Sequence, residues 1–135
     1  MKSFYAAAGC CLLVFLCLFS AESGAQFTPG KLVVTRIGSG AALTSAAFPV
    51  SLVQYNTAGT AQTGAVIITM PATSSIVVGA PRALTQSGTA TSEGDLSLSA
   101  DGRYLVLVGY NASTGTASVS SGTAEAVIGR VDANG

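Results

Sequence analysis

The stretch Leu96-Ser97-Leu98-Ser99-Ala100-Asp101-Gly102-Arg103-Tyr104-Leu105-Val106-Leu107-Val108-Gly109-Tyr110 decides the fold class. Its first four residues alternate strictly, apolar to one side and hydroxyl to the other, which is the period of a half-buried strand. Asp101-Gly102 then supplies a tight turn, because glycine reaches the positive φ that such turns need. Tyr104 to Tyr110 returns apolar on both faces, and this predicts a central strand covered on both sides. Together the three pieces predict an antiparallel hairpin.

Working outward, the rest of the chain also reads as strands. Glycine and proline recur too often for a long helix, and the apolar runs are short and β-branched. Lys31 to Ile37 is a candidate strand entered through Pro29-Gly30 and ended by Gly38-Ser39-Gly40. Val50 to Tyr55 and Gly64 to Met70 are two more, separated by the turn-like Asn56-Thr57-Ala58-Gly59-Thr60 and closed by Pro71. Ala72 to Thr91 reads as a long connection with a short strand at Ile76-Val77-Val78. Ala124 to Val131 forms the last strand, and Asp132-Ala133-Asn134-Gly135 is turn chemistry again. A further strand is expected after such a turn, so the expectation is that the sequence belongs to a longer protein.

The first 25 residues have the three-part order of a secretory signal: Lys2, an apolar run from Ala6 to Phe19, then Ser20-Ala21-Glu22-Ser23-Gly24-Ala25. Ser23 and Ala25 are small enough for a signal peptidase, which places cleavage between Ala25 and Gln26. The run is shorter than the roughly 20 residues that span a bilayer. Cys17 follows Val14-Phe15-Leu16, all bulky, unlike the small residues of a lipobox. The expectation is a secreted, extracellular all-β domain at residues 26–135, with no membrane attachment after cleavage.

Removing the leader takes Cys10, Cys11 and Cys17 with it, and the chain holds no histidine and no tryptophan. Disulfides, although permitted outside the cytoplasm, are therefore not used. Ser-His-Asp and Cys-His catalysis are excluded for want of imidazole and thiol, and tetrahedral zinc sites fail on the same count. Residues 26–135 carry five acidic and five basic side chains, with no basic stripe for nucleic acid. Gly38-Ser39-Gly40 lacks the continuation, the lysine and the helix of a phosphate loop. No cofactor is implied.

Few side chains remain for chemistry. Glu93, Asp95 and Asp101 form one acidic trio, which offers oxygens to calcium but too few for its six to eight ligands, or an acid and base pair for glycoside cleavage. Carboxylates on solvated turns account for the same spacing. Asn111-Ala112-Ser113 is an N-glycosylation sequon in an expected loop, and the Ser/Thr runs at Ser113–Thr116 and Ser118–Thr123 suit O-linked sugars or plain loops.

Ser99-Ala100-Asp101-Gly102-Arg103-Tyr104-Leu105 resembles the hairpin of β-propeller repeat proteins, where a Ser-x-Asp-Gly-[Lys/Arg]-Tyr-Leu pattern joins two inner strands of a blade. Ser92 to Leu96 and Ile128 to Asp132 stand where the blade's first and third strands begin and end. The resemblance implies antiparallel meander sheets arranged as partial propeller-like blades, with the N-terminal strands as outer strands. A closed propeller needs about four to eight blades, more than this length supplies, and a single β-sandwich is the alternative architecture. The corresponding expectation for function is a non-enzymatic extracellular binding or structural module that associates with itself, with a glycan or with another extracellular protein. The alternative is the N-terminal fragment of a propeller hydrolase or lactonase whose active site lies outside this chain.

Overall fold

The computed structural model describes residues 27–58, 66–73 and 77–135. The expected leader lies outside the described residues. Among them the architecture is all-β: an antiparallel seven-stranded sheet curled into a half-barrel. The strands are β1 (Leu32–Ile37), β2 (Ala47–Tyr55), β3 (Ile67–Thr69), β4 (Thr85–Ser87), β5 (Leu96–Leu98), β6 (Leu105–Tyr110) and β7 (Ala126–Val131). A 3-10 turn covers Val119–Ser121.

Two three-stranded meanders share this sheet. In one, β2 lies between β1 and β3; in the other, β6 lies between β5 and β7. The short strand β4 joins them, pairing with β2 through Ala47, Phe48 and Pro49 and with β6 through Thr85 and Tyr110. The registers show how. Ser51 faces Thr69, so an unbroken strand would set residue 71 opposite Pro49; Thr85 stands there instead. Thus β3 and β4 lie in line along one edge of β2, although they are far apart in sequence. Pro49 lacks the N–H that would return a bond to Gly38, whose own N–H reaches the Pro49 carbonyl at 2.8 Å, and β1 ends at that point.

The inner faces of the meanders meet in one core of Val50, Leu52, Met70, Leu84, Leu107 and Val131. Leu84 decides the spacing at its centre. A Cβ built on Gly109 would lie 2.9 Å from Leu84 Cδ2, and one on Gly129 would overlap Leu84 Cδ1. The two glycines are therefore the groove that receives Leu84, and close packing is possible only because neither has a side chain. A smaller cluster of Ala47, Ala112 and Val119 closes the opposite end. Gln54, 1% exposed, ties the N-terminal segment down by accepting the Thr28 N–H at 2.6 Å.

Four expectations are corrected. The connection Ala72–Thr91 contains a buried strand, Thr85-Gln86-Ser87, whose polar sequence hides it from any hydrophobicity pattern. The expected strand at 76–78 is absent at its described residues: Val77 and Val78 form a turn and Val78 is fully exposed. Strand β2 begins at Ala47 rather than Val50, because β4 extends its ladder. Finally, β6 is central within the sheet, but only its inner face is covered. On its outer face Val108 is 55% exposed and its cross-strand neighbour Ile128 is 75% exposed.

Candidate functional site

The most structured polar region lies where β4 gives way to β5 along the edge of β6. Thr85 faces Tyr110, and Leu96 faces Leu107, so no backbone strand stands opposite Val108 and Gly109 on that edge. A side chain supplies one of the missing bonds. The Gln86 amide, fully buried, donates from Nε2 to the Val108 carbonyl at 2.6 Å. Thr85 Oγ1 donates to the Ala112 carbonyl at 2.9 Å.

Glu93 completes this clasp. One carboxylate oxygen accepts the Ser87 N–H at 2.8 Å, and the other accepts the Tyr110 hydroxyl at 2.8 Å. Ser87 is 1% exposed, so its N–H has no access to water and needs this acceptor. The bond to Glu93, with burial and the carboxylate's negative charge adding to it, holds the Tyr110 hydroxyl above the usual tyrosine pKa. Gly94, at φ +93°, turns the chain sharply after Glu93 and lets the loop lie against Gln86. The result is an open cleft of about 360 Å³ bordered by Glu93, Asp95, Tyr110, Val108 and Ala126.

Asp101 is elsewhere, at the far tip of the β5–β6 hairpin. It accepts the Ser99 hydroxyl at 2.6 Å and the Arg103 N–H at 3.2 Å. These bonds, the Ser99 one first, hold its carboxyl below the usual aspartate pKa. Ser99 in turn accepts the Tyr104 N–H at 3.0 Å. The Ser-x-Asp-Gly-Arg-Tyr pattern is thus a turn lock in which each polar side chain caps a backbone donor. Gly102, at φ +70°, provides the turn.

The acidic trio seen in the sequence is therefore not brought together. Glu93 and Asp101 sit at opposite ends of the hairpin on different partners, and Asp95 lies on the cleft rim. Among the described residues no three His, Cys, Asp or Glu side chains are placed to hold a metal ion. Asn111 is half-buried at the end of β6, with its Nδ2 3.5 Å from Glu125 Oε2, while Ser113 of the sequon is exposed. Glu125 also pairs with Arg82 at 2.7 Å, an exposed bridge. Gln86 and Tyr110 are not among the sequence candidates. A buried Gln in a polar run carries no periodic signal, and Tyr110 reads as part of an apolar strand.

No family model, no curated protein and no solved structure matches the chain.

Proposed function

We propose that this chain is a secreted, non-enzymatic extracellular binding or structural module, with β5, β6 and β7 acting as a propeller-like blade. The observation that carries the reading is the apolar outer face of β6 and β7. Val108 and Ile128 face each other across the strands, more than half exposed, with half-buried Val106 and Tyr110 on the same face. Water-facing apolar pairs on a regular sheet are a feature of contact surfaces. Three of the five described carboxylates support the same reading: Glu93 is engaged with backbone and tyrosine, Asp101 with its own turn, and Glu125 with Arg82, while Asp132 caps the Asn134 N–H and Asp95 stands on the cleft rim. The partner classes are extracellular protein and glycan.

The test is binding of the exported protein to arrays of extracellular glycans and matrix proteins, alongside the Val108→Asp variant. The reading expects a saturable binder whose signal falls at least tenfold in the variant while the circular dichroism spectrum is unchanged. Absence of any saturable binder, or binding that Val108→Asp leaves intact, overturns it. A turnover assay against lactones, esters and glycosides runs in parallel. Enzyme-dependent hydrolysis would move the protein to the hydrolase class.

A further inference from the structure

We propose that two copies of the chain join through the free edge of β7 to form a symmetric dimer with Ile128 opposite Ile128 of the second copy. The starting point is the direction of the backbone groups. Asn111 donates to the Glu125 carbonyl at 2.8 Å, in the same register that sets Gly109 opposite Val127 and Leu107 opposite Gly129. Bonded pairs alternate along an antiparallel ladder, so Ala126, Ile128 and Arg130 direct their N–H and C=O groups away from β6. No backbone group among the described residues pairs with them. The edge is lightly protected: β7 has no proline, no lysine and no bulge in six consecutive register pairs, and Arg130 is its one charged residue.

β3 and β5 also pair with one strand only, but each is three residues long. Between the two six-residue edge strands, β1 and β7, three pairings of copies are open. The same counting, from Gly38 bonded to Pro49, directs Val33, Thr35 and Ile37 outward. Residues facing each other across a ladder carry their side chains on the same side of the sheet. Val33 belongs to the core, whereas Arg130 and Ile128 lie on the outer face. Pairing β1 of one copy with β7 of another therefore sets an inner face beside an outer face and drives Arg130 toward the core side. Pairing β1 with itself keeps the faces matched, but about Thr35 it brings the two Arg36 side chains to diagonal positions on one face, a like-charge contact.

Pairing β7 with itself has neither fault. Full overlap of the three outward residues puts Ile128 on the two-fold axis and Arg130 opposite Ala126 of the second copy. Arg130 has room there, since its guanidinium already lies over the Tyr104 ring at 4.4 Å. The outer faces become continuous, and a stripe of Val108, Ile128, Ile128 and Val108 runs across the axis. Self-pairing of one patch is the usual form of a two-fold interface.

The inference concerns the strand edge, not the face invoked for ligand binding, so the two fail separately. The experiment is light-scattering mass after gel filtration of the exported protein over the micromolar range. It compares wild type, Ile128→Lys and Val34→Lys, with circular dichroism to confirm folding. The dimer reading expects twice the chain mass for wild type and Val34→Lys, and the chain mass for Ile128→Lys. Ile128→Cys is the second variant. Directly bonded antiparallel residues have Cα atoms about 5.5 Å apart, within disulfide range. Oxidation of Ile128→Cys should therefore yield, by mass spectrometry, two copies of the same peptide joined by a disulfide at position 128, with Val34→Cys as the unlinked control. A wild-type monomer at every concentration, a dimer that survives Ile128→Lys, or no linkage at Ile128→Cys overturns the proposal. Ligand binding by a monomer would sink the dimer alone; a dimer that binds nothing would sink only the face.

Discussion

Replacing Glu93 by alanine tests the clasp at the strand handover. The substitution removes the acceptor of two donors with different access to water. Ser87 N–H is buried and would be stranded, which costs about 1–3 kcal/mol. The Tyr110 hydroxyl is half-buried and can turn to solvent, so its loss is about 0.5–1.5 kcal/mol. The expected total is about 1.5–4.5 kcal/mol, against the roughly ±0.5 kcal/mol typical of an ordinary surface change. Glu93→Gln keeps an oxygen for Ser87 and offers its amide to the tyrosine oxygen, so it should lose only about 1 kcal/mol. Tyr110→Phe isolates one arm, and the double variant Glu93→Ala/Tyr110→Phe should fall short of the sum of the singles by about 0.5–1.5 kcal/mol. The assay is urea unfolding followed by far-ultraviolet circular dichroism, with an unchanged slope confirming that only stability moved. A Glu93→Ala loss below about 0.5 kcal/mol, or strictly additive singles, would refute the clasp.

Three other perturbations follow from the same contacts. Gly129→Ala forces a Cβ into Leu84 and should cost about 1–3 kcal/mol by urea unfolding, most of it relieved relative to the single variant Leu84→Ala when the two are combined. The hydroxyl of Tyr110 has a folded pKa raised above 10.0, so its bond stabilises the fold fully below that pH and is lost as pH rises through the folded value. Tyr110→Phe should therefore flatten the alkaline limb of the stability curve, and a late-titrating tyrosinate absorbance should vanish with it. The carboxyl of Asp101 has a folded pKa lowered below 3.8, so its contribution is present above that value and disappears as pH falls through the folded one; Asp101→Asn should flatten the acid limb of thermal melts.

The legible and illegible parts of this chain divide along a physical line. Strands whose order comes from burial announce themselves: Leu32–Ile37, Leu105–Tyr110 and Ala126–Val131 are apolar or alternating, and each stands close to where periodicity puts it. The Asp101-Gly102 turn is equally plain, because its chemistry is local and lies within a few consecutive residues. Strand β4 is the opposite case. Thr85, Gln86 and Ser87 are almost wholly buried, yet they are held by hydrogen bonds to Ala112, Val108 and Glu93 rather than by apolar packing. Those partners lie up to 27 residues away, and no local pattern encodes them. Glu93 stands out in the sequence for its charge, but its role depends on Ser87 and Tyr110 arriving beside it. Val78 and Val108 mislead in complementary ways, since hydrophobicity alone does not say whether another surface will cover a side chain. An apolar residue expected to be buried and found in water is therefore a signal in itself. On β6 the sequence pattern of a strand covered on both faces stands while, among the described residues, nothing covers its outer face. That mismatch favours a ligand surface against the outer face of Val108 and Ile128, which a copy along the β7 edge would widen without covering.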